Sequence, residues 1–148
     1  MYRYVSAEQI EALSIPLGEI YDLVEEGFRL QGRGEFELPA KQGVHPRAQS
    51  FMHAMPAYLP TKDLTGAKLV SVFPSNAAKG VPTTTGVIAM LDSDTGIVTD
   101  ILDAAWITNM RTAMASMVDA RFLAATPQPV FGIVGAAGAC GTDDAEHR

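Results

Sequence analysis

The chain has 148 residues, near the roughly 100–150 of one domain, and is 47% apolar and 19% charged, enough to build a core and too little charge for a disordered chain. A net charge of −6 and scattered basic residues exclude nucleic acid as a partner, since binding the phosphate backbone needs clustered Lys and Arg. The single cysteine, Cys140, cannot form an intrachain disulfide, so the cytoplasm is the expected compartment.

Met1–Val5 runs into the polar Ser6–Gln9 with no apolar core of signal length, so no secretory signal is expected. The long uncharged run 122–142 is broken by Pro127, Pro129 and several glycines, so no membrane span is expected either. Ser6 followed by Gln9 is a capping-box pattern that predicts a short first helix. A second helix starts near Pro16, carries Leu17, Ile20, Tyr21, Val24 and Phe28 as an apolar stripe, and ends at Gly32 and Gly34.

From Glu35 to Leu91, prolines punctuate short apolar runs, the pattern of strands joined by turns. The predicted strands are Phe36–Val44, Ser50–Tyr58, Ala67–Phe73 and Thr83–Leu91, the last paired in a hairpin with Ile97–Leu102 across Asp92–Gly96. Asp103 is placed to cap a long helix with Ile107, Met110, Met114, Met117, Val118 and Phe122 on one core-facing side, stopped by Pro127 and Pro129. The apolar run Val130–Val134 then leads into Gly135-Ala136-Ala137-Gly138, which is how a dinucleotide-binding domain begins. The fold class expected is therefore α+β: N-terminal helices on a mixed or antiparallel sheet, then the long helix and the first strand of a Rossmann domain. The expected division is 1–127 as one domain and 128–148 as the start of a second. Residues 130–148 are too few for a βαβ unit of roughly 30 residues, and the acidic closing segment lacks an apolar stripe, so the nucleotide domain is expected to be cut short.

Lys68 interrupts an apolar run, which suits either an edge residue facing water or a partly buried ammonium that meets a carboxylate or an imine. Arg111 offers a planar fork for a carboxylate or phosphate near a helix start. His45 and His53 have no Cys, Asp or Glu at ligand spacing, so structural roles are expected and no metal site. The serines lack a Gly-x-Ser-x-Gly elbow, which leaves a hydrolytic triad without a basis.

Several pieces occur in order: Met55-Pro56-Ala57-Tyr58, Gly66-Ala67-Lys68-Leu69-Val70-Ser71, Phe73-Pro74 with Asn76 and Gly80, Pro82-Thr83, Leu91-Asp92 with Thr95-Gly96, Ile107-Thr108 with Arg111-Thr112-Ala113, and Gly132-Ile133-Val134-Gly135. Together they resemble the ornithine cyclodeaminase/mu-crystallin family. The resemblance implies NAD(P)-dependent chemistry on an amino acid or cyclic imine, with ornithine cyclisation to proline, ketimine reduction and alanine dehydrogenation among the family's activities. It also implies a homodimer built on an N-terminal substrate-binding and dimerisation domain, with no nucleic-acid or membrane partner.

Residue by residue, the resemblance makes Lys68 the catalytic and carboxylate-contacting group, with Lys41 and Arg111 as further substrate-binding residues. It gives NAD contacts to Thr83, Arg111, Gly135, Gly138 and Ala139. Lys41 stands where ornithine cyclodeaminases carry an arginine, and Ala137 replaces a fingerprint glycine. The family's catalytic aspartate has no counterpart here, so the chain alone is expected to be inactive. The segment Gly43–Arg47 with Phe51, His53 and Ala54 also resembles a branch described as tyramine oxidase accessory subunits.

Overall fold

The computed structural model of the chain describes residues 1–126 together with Gly132. It is an α+β structure with strands β1 (Arg3–Val5), β2 (Gln42–Arg47), β3 (Ser50–Leu59), β4 (Leu64–Val72), β5 (Thr84–Leu91) and β6 (Val98–Asp103). The helices are α1 (Ala7–Glu11), α2 (Leu17–Gly32) and α3 (Ala105–Leu123). The six strands form one mixed sheet in the order β1-β6-β5-β4-β3-β2, parallel only between β1 and β6. No helix among the described residues is long and apolar enough to cross a membrane.

Local chemistry explains most boundaries. The Ser6 hydroxyl accepts from the Gln9 amide at 3.3 Å while the Gln9 side chain accepts from the Ser6 amide at 2.9 Å, the reciprocal cap expected of this pair. Gly34 turns with φ +72° just after α2. In the β5–β6 hairpin the Asp92 carboxylate accepts from the Thr95 amide and hydroxyl at 2.8 and 2.6 Å, and Gly96 supplies φ +68°. The register shifts by one residue between Met90 and Leu91. The Asp103 carboxylate accepts from the Ala105 amide at 2.8 Å, so it caps α3 from one position before the flanking Ala104.

Three expectations need correction. Phe36–Val44 is not one strand: Glu37 makes a single bridge to Tyr58, Pro39 offers no amide hydrogen, and the ladder begins only at Gln42. Strand β1 was not anticipated; three residues pair with β6, almost a hundred positions away, and Arg3 donates to Asp100 at 2.6 Å. The stripe on α3 buries Val118, but Met117 is 52% and Phe122 is 53% exposed. Phe122 instead has the Arg29 and Arg121 guanidiniums 5.6 Å from its ring centre. The predicted strand at 130–134, the glycines after it and Cys140 lie outside the described residues.

Helix α2 packs chiefly along α3, and α3 touches the sheet at β5. Glu25 joins the two helices, bonding Arg29 at 2.6 Å and Arg121 at 3.0 Å. The buried apolar side chains, Ile10, Ile20, Leu30, Ala104 and Val118, come from the helical layer and its junction with the sheet. Opposite partners in antiparallel strands share a face, so Met55, Lys68 and Ile88 lie together on one side of the sheet. The other side carries Met52, Leu69, Val87 and Ile101, with Met52 39% and Leu69 44% exposed.

Candidate functional site

Lys68 stands in mid-strand on β4, level with Met55 of β3 and Ile88 of β5. It lines a cavity of about 240 Å³ whose walls include Phe36, Met55, Ala57, Ile88 and Met90. Gly66, opposite Met90, keeps this floor low: a Cβ there would come to 2.8 Å from the Ala89 carbonyl and 3.1 Å from the Met90 sulfur. Lys68 is thus an ammonium among apolar walls, as the interrupted apolar run allowed, and not an edge gatekeeper, because β4 is flanked by β3 and β5.

Burial lowers the Lys68 pKa below the ordinary lysine value, and the positive charges of Arg111 and Lys41 push it further down. Arg111 reaches the site from α3 and Lys41 from the segment just before β2. Among the described residues, none of these three cations forms an ion pair, whereas Arg3, Arg29, Arg33, Lys62 and Arg121 all do. Like charges left together without a carboxylate in a protein of net charge −6 make an attractive site for an anion. A carboxylate suits it well, since the guanidinium fork can hold both oxygens while the ammonium acts as a point charge.

Thr83 lies in a second cavity of about 340 Å³, between the start of β5 and the start of α3, with Thr84, Thr85, Gly86, Thr108 and Asn109. Its carbonyl accepts from the Phe73 amide at 2.7 Å, which fixes the entry to β5. The Thr108 hydroxyl is buried with no hydrogen-bond partner among the described residues, and its carbonyl accepts from the Thr112 hydroxyl at 2.6 Å. A buried hydroxyl without a partner is costly, and its residue is one of those that line this cavity. In the sequence Thr108 stands in the Ile107-Thr108 piece of the resemblance, three residues before Arg111, but no role was expected of it.

The structure therefore brings Lys41 and Arg111 near enough to Lys68 for their charges to act on it, and places Thr83 in a separate cavity. Gly135, Gly138 and Ala139 lie outside the described residues. His45 is on the exposed edge strand β2, and no group of three metal-ligating side chains occurs among the described residues.

Comparison with known proteins shows the family and the fold. The model of the ornithine cyclodeaminase/mu-crystallin family matches residues 4–145, running through the glycine-rich segment and most of the acidic one after it. The nodulation efficiency protein of Rhizobium meliloti is 35% identical over 134 residues, covering 90% of this chain and 42% of that protein. Among solved structures, an archaeal alanine dehydrogenase dimer with bound NAD superposes with a TM-score of 0.77 at 32% identity, over 83% of this chain and 37% of that one. The Δ1-pyrroline-2-carboxylate reductase of Thermococcus litoralis, in complex with NADH and L-proline, gives a TM-score of 0.78 at 30% identity, over 82% of this chain and 38% of that one. The chain thus spans about two fifths of the length of these relatives.

Proposed function

Since the chain belongs to the ornithine cyclodeaminase/mu-crystallin family, we propose that it supplies the substrate-binding part of an NAD(P)-dependent enzyme that moves a hydride at the α-carbon of a small amino acid or cyclic imino acid. The observation that carries this reading is the unpaired Lys68 in an apolar cavity, with the charges of Arg111 and Lys41 acting on it. Arg111 and Lys68 hold the substrate carboxylate, and Lys41 adds longer-range attraction. Lys68 also exchanges a proton with the substrate nitrogen, a role its lowered pKa favours because the ammonium gives up its proton more readily.

The cavity lined by Thr83, Thr84, Thr108 and Asn109 suits the polar parts of a dinucleotide. NAD, when bound, supplies the hydride donor or acceptor. This chain's side chains position the α-carbon and keep water from it. On this reading residues 1–127 provide substrate binding and dimerisation, and 128–148 begin the nucleotide-binding part through Gly135, Gly138 and Ala139.

Cyclisation of ornithine to proline is the reaction that names the family. The apolar lining of the Lys68 cavity favours instead a substrate whose side chain is uncharged, as in ketimine reduction or alanine dehydrogenation, because no carboxylate among its lining residues pairs with a second ammonium. We further propose a homodimer through the sheet face that carries Met52 and Leu69, the face turned away from Lys68. Calorimetric titration of the chain with L-proline, pyruvate and L-ornithine tests the reading: carboxylates are expected to bind in a Lys68-dependent, salt-sensitive way, and absence of saturable binding would refute it.

A further inference from the structure

The sheet face that carries Lys68 can be read row by row across the strands. One row runs Met55, Lys68, Ile88, with Lys41 just beyond the Gln42–Ala54 pair and so level with Met55. The next row runs Gly43, His53, Val70, Gly86. Two of its four positions are glycine, so it carries few side chains beside the row of Lys68. Only two side chains rise from it, and only the His53 imidazole is polar.

The row is built around that ring. A Cβ on Gly43 would come to 2.3 Å from His53 Cδ2, so the ring occupies the space the glycine leaves. On its other side the ring stacks on Phe51, with centroids 4.4 Å apart and planes 25° from parallel. At Gly86 a Cβ would meet the Leu69 carbonyl oxygen at 2.4 Å, so the β4 backbone closes the far end of the row and no side chain rises there. Packing fixes the ring, yet packing does not need its nitrogens: a phenyl group would stack on Phe51 as well. Neither nitrogen takes a hydrogen bond among the described residues, and His53 belongs to no metal-ligating group there.

Resting on the reading above, we propose that His53 is a ligand-contacting residue of the Lys68 site. Its imidazole hydrogen-bonds the polar group next to the carboxylate, the amine or imine nitrogen of an α-amino or cyclic imino acid. Same-face diagonal neighbours on adjacent strands stand on the order of 7 Å apart, a gap that one small amino acid spans. The neutral ring offers one N–H donor and one lone-pair acceptor, so it can serve the nitrogen in either of its protonation states. Arg111 and Lys68 then set the carboxylate end, and His53 sets the rotation of the α-carbon about it.

The test uses the full chain with L-proline as probe. Three histidines give three imidazole Cε1–Hε1 cross-peaks, and His53→Phe identifies the peak of interest. Titration should move the His53 peak saturably, with the dissociation constant read from ligand-observed binding, and leave the His45 peak in place. His53→Phe, which keeps the stack, should weaken proline about tenfold with an unchanged urea midpoint. Gly43→Ala, which displaces the ring without removing it, should give a smaller loss. Lys68-dependent binding of proline with a motionless His53 peak would overturn the proposal while leaving the carboxylate site standing. Absence of any proline binding to the wild-type chain would overturn both. Should His53→Phe unfold, the wild-type titration decides alone.

Discussion

Arg111 of α3 and Lys68 of β4 are like charges, near enough for Arg111 to depress the Lys68 pKa, and neither has a carboxylate partner among the described residues. A fold under selection for stability alone would place an acid between them or replace one by an apolar group. Their juxtaposition stores unfavourable electrostatic energy that an anionic ligand releases. Lys68→Met is therefore expected to raise the stability of the ligand-free chain by about 0.5–1 kcal/mol while reducing carboxylate affinity at least tenfold. Urea melts and calorimetric titration of the same preparation check both halves.

The lowered Lys68 pKa also fixes a pH dependence. The unfolded chain holds the Lys68 proton more tightly than the folded one, so the group destabilises the fold at neutral pH. Stability should therefore gain from this residue as pH rises from the depressed value towards the ordinary 10.5. Carboxylate binding has the opposite trend, since it needs the ammonium, and it should decline below the pH at which an ordinary lysine titrates. Comparing wild type with Lys68→Met from pH 7 to pH 10 isolates the contribution; identical stability profiles would contradict it.

Arg111→Lys keeps the charge and removes the fork. If the guanidinium grips both carboxylate oxygens, affinity should fall about tenfold, with more salt sensitivity in what remains. A substitution without effect would mean that Arg111 acts on the site only through its field.

Gly86 of β5 stands opposite Val70 of β4 with no room for a side chain. Gly86→Ala puts a methyl 2.4 Å from the Leu69 carbonyl oxygen, which is backbone and cannot swing aside. The expected cost is about 2 kcal/mol, read as a lower urea midpoint, with carboxylate affinity reduced as well because Val70 and Lys68 move with β4.

The apolar face opposite Lys68 predicts an association. Leu69→Asp places a charge on the exposed centre of that face and should convert the sedimenting species from dimer to monomer without abolishing carboxylate binding. A wild-type chain that sediments as a monomer would remove this part of the account.

Local chemistry was legible where a few neighbouring residues decide the outcome. The Ser6–Gln9 cap, the Asp92–Gly96 turn and the extents of α2 and α3 all follow from side chains within four positions of each boundary. What needed three dimensions was long-range pairing. Strand β1 is three residues whose strand character comes from a partner near the other end of the described chain. Phe36–Val44 has apolar content without a continuous ladder, because Pro39 and the loop after it break the pairing. The site divides in the same way. Lys68 drew attention because a charge interrupted an apolar run, but nothing in the spacing of Lys41, Lys68 and Arg111 shows that they converge. That requires the β2–β3–β4 register and the return of α3 over the sheet. Thr108 appeared in the sequence only as part of the Ile107-Thr108 motif, and its unpartnered hydroxyl could not be foreseen, since a helical threonine usually satisfies its hydroxyl locally.

The most direct test of the carboxylate site is a titration of the wild-type chain and Lys68→Met with L-proline and pyruvate, at low and at high salt. Saturable binding to the wild type that weakens with salt and is lost in Lys68→Met is the predicted result. Equal binding by both proteins, or none by the wild type, would contradict the assignment of Lys41, Lys68 and Arg111 as the substrate-binding cluster.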